Sequence, residues 1–405
     1  MPARPVKLTK TEAAAPRLTC VRKRPTMRSA VLLSTLSVAL YASATAAAGF
    51  HQTTEWDLKP SLKYDTLCIL NSLSGDPYYL QYYNESFQRL RPQFTEQEKT
   101  AFKSLKAKIK DQHGEIISAK LALYFSVVNA ESLDDLLRVV RDSSEMQRNL
   151  QATSYYSADG WKSYEEARPD LEAALLALKR VHFDQYWERN IRPAIEEREQ
   201  AIRSTLPRYN IVPAVESRLG WPLPSNRITV YMLYFSEPHG IRITGTNFLT
   251  HYSYPFRIVL RNAIHELMHP PYDAAHNSAV KEAIESLRAD PFLMDKVEHH
   301  DRSLGYNTLE GLVEEDCVQA LEQNVAEQFD AGGDLKGNPR QYWAEQDGGI
   351  HVLAVALYSL MQQEGFPAAG EDFSRFLVRM ARSGRLSSGH IEALNKTFFT
   401  ANAPK

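Results

Sequence analysis

Hydrophobic residues recur at helical spacing through most of the first half of the chain. Thr95 and Glu98 match the S/T-x-x-E capping pattern, and apolar residues follow them every three or four positions. Residues 165–204 form a long charged segment that also carries an apolar stripe, and Pro193 is expected to kink or divide it. The pattern predicts a packed helical domain over residues 49–212.

The pattern changes after residue 212. Residues 227–236 are rich in β-branched and aromatic residues and predict a strand, and residues 241–244 predict a second strand after a Glu-Pro-His-Gly turn. Helical spacing then returns in four segments, namely 256–269, 278–299, 308–329 and 350–363. A chain of 405 residues exceeds one typical core. We therefore predict a mostly α (α+β) protein, with the helical lobe followed by a second lobe, residues 213–405, that holds a small sheet and helices.

The first 48 residues have the order that is typical of a secretory signal. A basic run at residues 22–28 precedes an apolar stretch at residues 30–41, and small residues with an A-x-A pattern follow. The apolar stretch is shorter than the roughly 20 residues of a membrane span. We interpret residues 1–48 as a leader, and expect an exported protein, periplasmic or secreted, with no stable membrane span after processing.

Composition narrows the range of partners and sites. The chain has 43% hydrophobic and 24% charged residues and a formal net charge of -2, and no basic stripe follows the leader. Nucleic acid is therefore not an expected partner. Cys68 and Cys317 are the cysteines outside the leader. They are too few for a cysteine-rich zinc site, and sequence alone does not show whether they form a disulfide.

The candidate chemistry lies in residues 261–272, RNAIHELMHPPY. His265 and His269 are four residues apart on a predicted helix, so both imidazoles project from one face and can reach one metal ion. Glu266 lies beside the first histidine, where its carboxylate can accept a proton from metal-bound water without binding the metal. Pro270 is expected to end the helix directly after the second histidine.

The HELMH string at residues 265–269 resembles the active-site helix of the zincin metallopeptidases. The strands before it are similar to the edge of the small sheet that covers this helix in that family. A glutamate from a later helix would make the chain similar to the gluzincin branch, whereas His276 does not fit the metzincin pattern HExxHxxGxxH. The resemblance covers residues 225–330. It implies a zinc-dependent hydrolase, a metallopeptidase that cleaves a peptide or protein substrate through attack by Zn²⁺-bound water.

Three glutamates of the downstream helix could supply the third zinc ligand. Asn307 and Glu310 have the spacing of an N-cap and its N3 partner, so capping alone can explain Glu310. Glu314 and Glu315 lie in an apolar stretch, where a carboxylate needs a partner or a metal. One could bind the metal while the other orients a histidine. We favour Glu315, because the E-x-x-V-x-A segment that begins there resembles segments of zincin-like bacterial proteins; Glu314 and Glu310 stay open.

Two other functions fit the same sequence. The chain could be an exported helical binding protein with a degenerate HExxH, or it could hold a purely structural zinc. A metal with an open position supports the enzyme, whereas four protein ligands support the structural site. The residue that would stabilise an oxyanion is also open, and the candidates near the motifs are Tyr272, His299, His300 and Tyr306.

Overall fold

The computed structural model describes residues 49–304, 306–329, 339–368 and 370–400. The predicted leader, residues 1–48, lies outside the described residues. The fold is 67% helix and 6% strand, so the predicted mostly α (α+β) class is confirmed. No helix within the described ranges is long and apolar enough to span a membrane.

Helices make up most of the described chain before the central strands. Thr95 and Glu98 form the predicted capping box at the start of one of them. The segment 165–204 is divided, as predicted, just before Pro193, which lies in the first turn of its helix, where a missing N–H breaks no helical hydrogen bond. The segment is also broken earlier in the chain, at His182, whose φ is 54°. These helices are α1 (Leu62–Leu73), α2 (Pro77–Leu90), α3 (Glu96–Lys106), α4 (Ile117–Phe125), α5 (Leu133–Arg141), α6 (Ser144–Gln151), α7 (Ala158–Arg180), α8 (Phe183–Asn190), α9 (Arg192–Arg203) and α10 (Ile211–Leu219).

Helices also dominate the chain after the strands. The single helix expected over residues 278–299 is wrong, because the segment is split at Asp290. The Asp290 side chain accepts the backbone N–H of Leu293, and Pro291 starts a new helix there. The helices of this part are α11 (Phe256–Leu267), α12 (Ser278–Ser286), α13 (Pro291–His299), α14 (Leu309–Gln328), α15 (Pro339–Glu345), α16 (Val352–Glu364), α17 (Phe373–Arg382) and α18 (His390–Thr400).

One small mixed sheet combines strands from both ends of the chain. Its strands are β1 (Glu55–Pro60), β2 (Arg227–Leu233), β3 (Ile241–Arg242) and β4 (Asn247–His251). The order is β1-β2-β4-β3; β1, β2 and β4 are parallel, and β3 is an antiparallel edge strand. The sequence pattern predicted β2 and β3 and missed β1 and β4. Because β1 pairs with β2, the sheet draws on the segment before α1; the boundary after residue 212 stays a prediction.

Asp65 of α1 fixes the end of β2. Its carboxylate is fully buried and accepts the backbone N–H groups of Tyr234 and Phe235, each at 2.8 Å, and the indole N–H of Trp187 at 2.7 Å. These two backbone groups therefore do not bond to a neighbouring strand, which explains why β2 is shorter than the predicted 227–236. Burial raises the pKa of Asp65 to about 7, against the three hydrogen bonds that lower it.

Cys68 and Cys317 are both buried and both free, so they do not form a disulfide with each other.

Candidate metal centre

Helix α11 presents the HExxH residues from a buried support. Its apolar face, which includes Val259, Ala263 and Ile264, is fully buried, and the helix packs against β4 and α14. The helix ends at Leu267, so the expectation that it continues to His269 is wrong. The residue before a proline is restricted away from helical backbone, and His269 precedes Pro270.

His265, His269 and Glu315 come together at one point. The Nε2 atoms of the two histidines are 3.4 Å apart. The carboxylate of Glu315 lies 3.7 Å from the Nε2 atom of His265 through Oε1, and 3.8 Å from that of His269 through Oε2. The structure thus brings both predicted histidines together with the favoured third ligand.

The spacing of the three donors is compatible with one bound metal ion of the size of zinc. Zinc–ligand bonds of about 2.0–2.1 Å in a tetrahedron place neighbouring donor atoms roughly 3.3 Å apart. The three donor residues lie within 4.8 Å of one another, and no other His, Cys, Asp or Glu among the described residues joins the group. The two nitrogens and the carboxylate are a donor set that suits Zn²⁺.

Carboxylates of α14 contact Nδ1 of each histidine, the outer nitrogen, which faces away from the donor group. Glu322 lies 2.9 Å from Nδ1 of His265, and Glu314 lies 3.2 Å from Nδ1 of His269. A protonated Nδ1 that donates to its carboxylate leaves the lone pair of Nε2 facing the other donors. Glu322 is itself paired with the buried guanidinium of Arg261.

Closely spaced carboxylates and imidazoles shift the pKa values of the groups in this centre. Burial lowers the pKa of His265, but the carboxylates of Glu315 and Glu322 outweigh it and raise that pKa to about 10. Burial tends to raise the pKa of Glu322, but Arg261 and His265 outweigh it and hold the pKa below its usual value. The negative field around His265 therefore favours a bound cation.

Glu266 lies beside the donor group and takes no part in it. Burial raises the pKa of its carboxyl, against the opposing charges of His265, His269 and Arg242. The backbone of Gly240 approaches closely, because a Cβ atom added there would lie 3.1 Å from Oε1 of Glu266. The turn before β3 thus covers the carboxylate.

A buried polar network supports Glu315 from behind. Gln319 donates to Oε1 of Glu315 at 3.1 Å, and its own carbonyl oxygen accepts the indole N–H of Trp343 at 3.0 Å. Gln319 also contacts Nε2 of His351 at 3.1 Å, and Nδ1 of that histidine lies 2.7 Å from Asp316. Buried side chains that are held on several sides keep a ligand carboxylate in one orientation.

Glu310, the least favoured ligand, lies elsewhere. It is paired with Arg288 at an exposed position. The N-cap expected at Asn307 is wrong, because the hydroxyl of Thr308 accepts the backbone N–H of Gly311 at 3.1 Å and begins α14. The side-chain amide of Asn307 donates to the carbonyl of Arg302 at 3.2 Å instead.

The four candidates for oxyanion stabilisation are placed differently. The ring of Tyr306 lies 5.6 Å from that of His351, and burial, followed by the charge of Glu315, raises the pKa of its hydroxyl. His299 is exposed and pairs with Asp295. Nδ1 of His300 lies 2.9 Å from a backbone carbonyl of its own helix, and Tyr272 is buried. Tyr306 is thus one candidate on which the charge of Glu315 acts.

Sequence reasoning did not identify Arg261, Glu322, Gln319, Gly240 or Arg242. Helical spacing in the sequence could have identified the first three. Arg261 precedes His265 by four residues, Gln319 follows Glu315 by four, and Glu322 follows it by seven, so each shares a helix face with a ligand. No comparable signal existed for the last two, because they belong to a turn and a two-residue strand.

A comparison of this chain with protein-family models, curated proteins and solved structures finds no match. The resemblance to the zincins therefore rests on the residues themselves.

Proposed function

We propose that this protein is a zinc-dependent hydrolase of the gluzincin type, a metallopeptidase that cleaves peptide bonds in an exported compartment. One observation carries the proposal. The Nε2 atoms of His265 and His269 lie close to each other and to the carboxylate of Glu315, while Glu266 lies beside them and outside the group. Three electron-pair donors this close to one another require a cation between them, and a proton or a metal ion can fill that role.

Each residue has a distinct part in the proposed reaction. His265, His269 and Glu315 would hold Zn²⁺, and a zinc ion with three protein ligands lowers the pKa of a water molecule towards 7 and polarises a carbonyl. Glu266 would take a proton from the attacking water and deliver it to the leaving amine. Glu314 and Glu322 orient the two imidazoles, so that Nε2 of each points inwards.

The number of ligands favours a catalytic site over a structural one. A structural zinc has four protein ligands, whereas this donor group contributes three within the described ranges. A vacant fourth position is what a reacting water requires. The exported binding protein with a degenerate motif remains the alternative, and metal binding separates it from the enzyme.

Glutamine variants of three glutamates test the assignment of roles. Glu266→Gln should keep stoichiometric zinc and lose about 10²–10⁴-fold in hydrolysis, because it removes a base and no ligand. Glu315→Gln should weaken zinc binding itself, because it removes an anionic ligand. Glu314→Gln should lower zinc affinity about 10- to 100-fold, as loss of an orienting carboxylate does. Zinc content is measured by elemental analysis, and turnover by mass spectrometry on a broad peptide mixture.

Two results would count against the proposal. Unchanged turnover in Glu266→Gln would remove the proposed mechanism. A wild-type chain that binds no zinc would favour the binding protein. If Glu314→Gln lost the metal while Glu315→Gln kept it, the roles of these two residues would be exchanged.

A further inference from the structure

Arg242 of the edge strand β3 is a cation without a protein counterion. Its Nε atom is buried and has no hydrogen-bond partner. Throughout the described part of the chain, no carboxylate forms an ion pair with its guanidinium. The buried Nε–H is costly to leave without an acceptor, and the planar group as a whole carries five N–H donors and a full charge.

The position of Arg242 connects it to the metal centre. Gly240, two residues earlier, is the residue whose backbone approaches Oε1 of Glu266. Because consecutive Cα atoms are about 3.8 Å apart, the Cα atom of Arg242 lies within about 7.6 Å of that of Gly240. The guanidinium is therefore within the length of an arginine side chain of the backbone that covers the proposed base.

An aromatic contact fixes the guanidinium. Its central carbon lies 5.8 Å from the ring centre of Tyr155, at a distance typical of a cation–π interaction. This contact orients the planar group and satisfies none of its N–H donors. An oriented, unsatisfied guanidinium is suited to a carboxylate, which it can bind through two parallel hydrogen bonds.

We infer that Arg242 binds a carboxylate of the peptide substrate, and that the protein prefers peptides with such a group within about two residues of the cleaved bond. The distance follows from the spacing between Gly240 and Arg242 and the rise of about 3.3 Å per residue in an extended peptide. The carboxylate can be an Asp or Glu side chain or the free carboxyl terminus of the peptide. This inference rests on the proposed peptidase function for its choice of ligand.

The test measures binding, so it does not depend on turnover. Zinc-loaded protein carrying Glu266→Gln is titrated with fluorescein-labelled hexapeptide pools, and affinity is read as fluorescence anisotropy. One pool contains a glutamate in each peptide, a second contains glutamine in its place, and both end in a carboxamide. A third pool, with glutamine and a free carboxyl terminus, separates the two sources of carboxylate. We expect one of the acidic pools to bind about 10- to 100-fold more tightly than the neutral one, as for a charge-assisted hydrogen-bonded pair.

Three further variants in the same background identify the residue. Arg242→Gln should bind the acidic and neutral pools about equally, with its affinity for the neutral pool unchanged. Arg242→Lys should restore part of the preference for the acidic pool. Arg227→Gln is the matched control, because Arg227 lies in the same sheet and pairs with Glu55 at an exposed position. That control should keep the full preference.

The outcomes separate this inference from the proposed function. The inference is overturned if neither acidic pool binds more tightly than the neutral pool. It is also overturned if Arg242→Gln prefers acidic peptides as strongly as the control Arg227→Gln does. Thermal unfolding of each variant shows whether the fold is intact, and rescue by lysine excludes a purely structural loss. If the protein with its native Glu266 hydrolyses no peptide, while Arg242 still determines the binding preference, only the hydrolase proposal is contradicted.

Discussion

Glu322 supports two buried groups, so replacing it by glutamine should lower both the free energy of unfolding and the affinity for zinc. Its carboxylate contacts Nδ1 of His265 at 2.9 Å and pairs with the guanidinium of Arg261, which is 4% exposed. Glutamine keeps the size of the side chain and one acceptor oxygen, and it removes the charge. The change therefore tests the carboxylate while disturbing the packing little.

The expected magnitudes follow from these two contacts. An imidazole ligand that loses its orienting carboxylate typically costs 10- to 100-fold in metal affinity, which is about 1.4–2.7 kcal/mol. A buried arginine that loses its counterion typically costs about 3–5 kcal/mol of folding free energy. The retained acceptor oxygen of glutamine places Glu322→Gln towards the lower end of both ranges.

The two effects are measured separately. Urea unfolding of the zinc-free protein gives the loss of folding free energy, and competition with a chromophoric chelator gives the dissociation constant for zinc. Glu310→Gln is the control on the same helix, because its partner Arg288 is exposed and such pairs contribute about 0–1 kcal/mol. If Glu322→Gln bound zinc as tightly as Glu310→Gln does, the carboxylate would not orient His265 and the assignment of its role would be wrong.

Three further predictions concern other parts of the molecule. His265→Ala or His269→Ala should abolish stoichiometric zinc while leaving most helical content, which elemental analysis and circular dichroism check. Gly240→Ala should displace the Glu266 carboxylate, since the added Cβ would lie 3.1 Å from Oε1; turnover should fall while zinc content is kept, whereas equal turnover would contradict it. Because burial raises the pKa of Asp65 to about 7, its protonated form stabilises the fold below its unfolded pKa of about 4, and that contribution is lost as pH rises through 7. The stability difference between wild type and Asp65→Asn, from urea unfolding, should therefore be smaller at pH 7.5 than at pH 4.5, and a constant difference would contradict the prediction.

Local signals account for what the sequence predicted well. Helical periodicity and capping residues act within a few positions of each other, so helices such as α3 and the helical class could be predicted from the chain alone. The sequence missed β1 because strand formation depends on a partner. Glu55 of β1 pairs with Arg227 of β2, and nothing in the hexapeptide EWDLKP specifies that register. Arg242 was missed for a related reason, since an unpaired charge is defined only by what surrounds it in the fold.

The position of Glu315 shows how helix geometry decides which of two neighbouring glutamates can join the two histidines. Neighbouring helical residues point about 100° apart, so Glu314 and Glu315 cannot both face the inner nitrogens of the histidines. Glu315 faces them, and Glu314 reaches the outer nitrogen of His269, which lies beyond the end of α11. Seven residues after Glu315, Glu322 returns to the same face and meets the other histidine, His265, from its outer side. One face of α14 therefore supplies both the third donor and the carboxylate that contacts an imidazole, so a shift of α14 along α11 would remove Glu315 from the donor group and the support of His265 together.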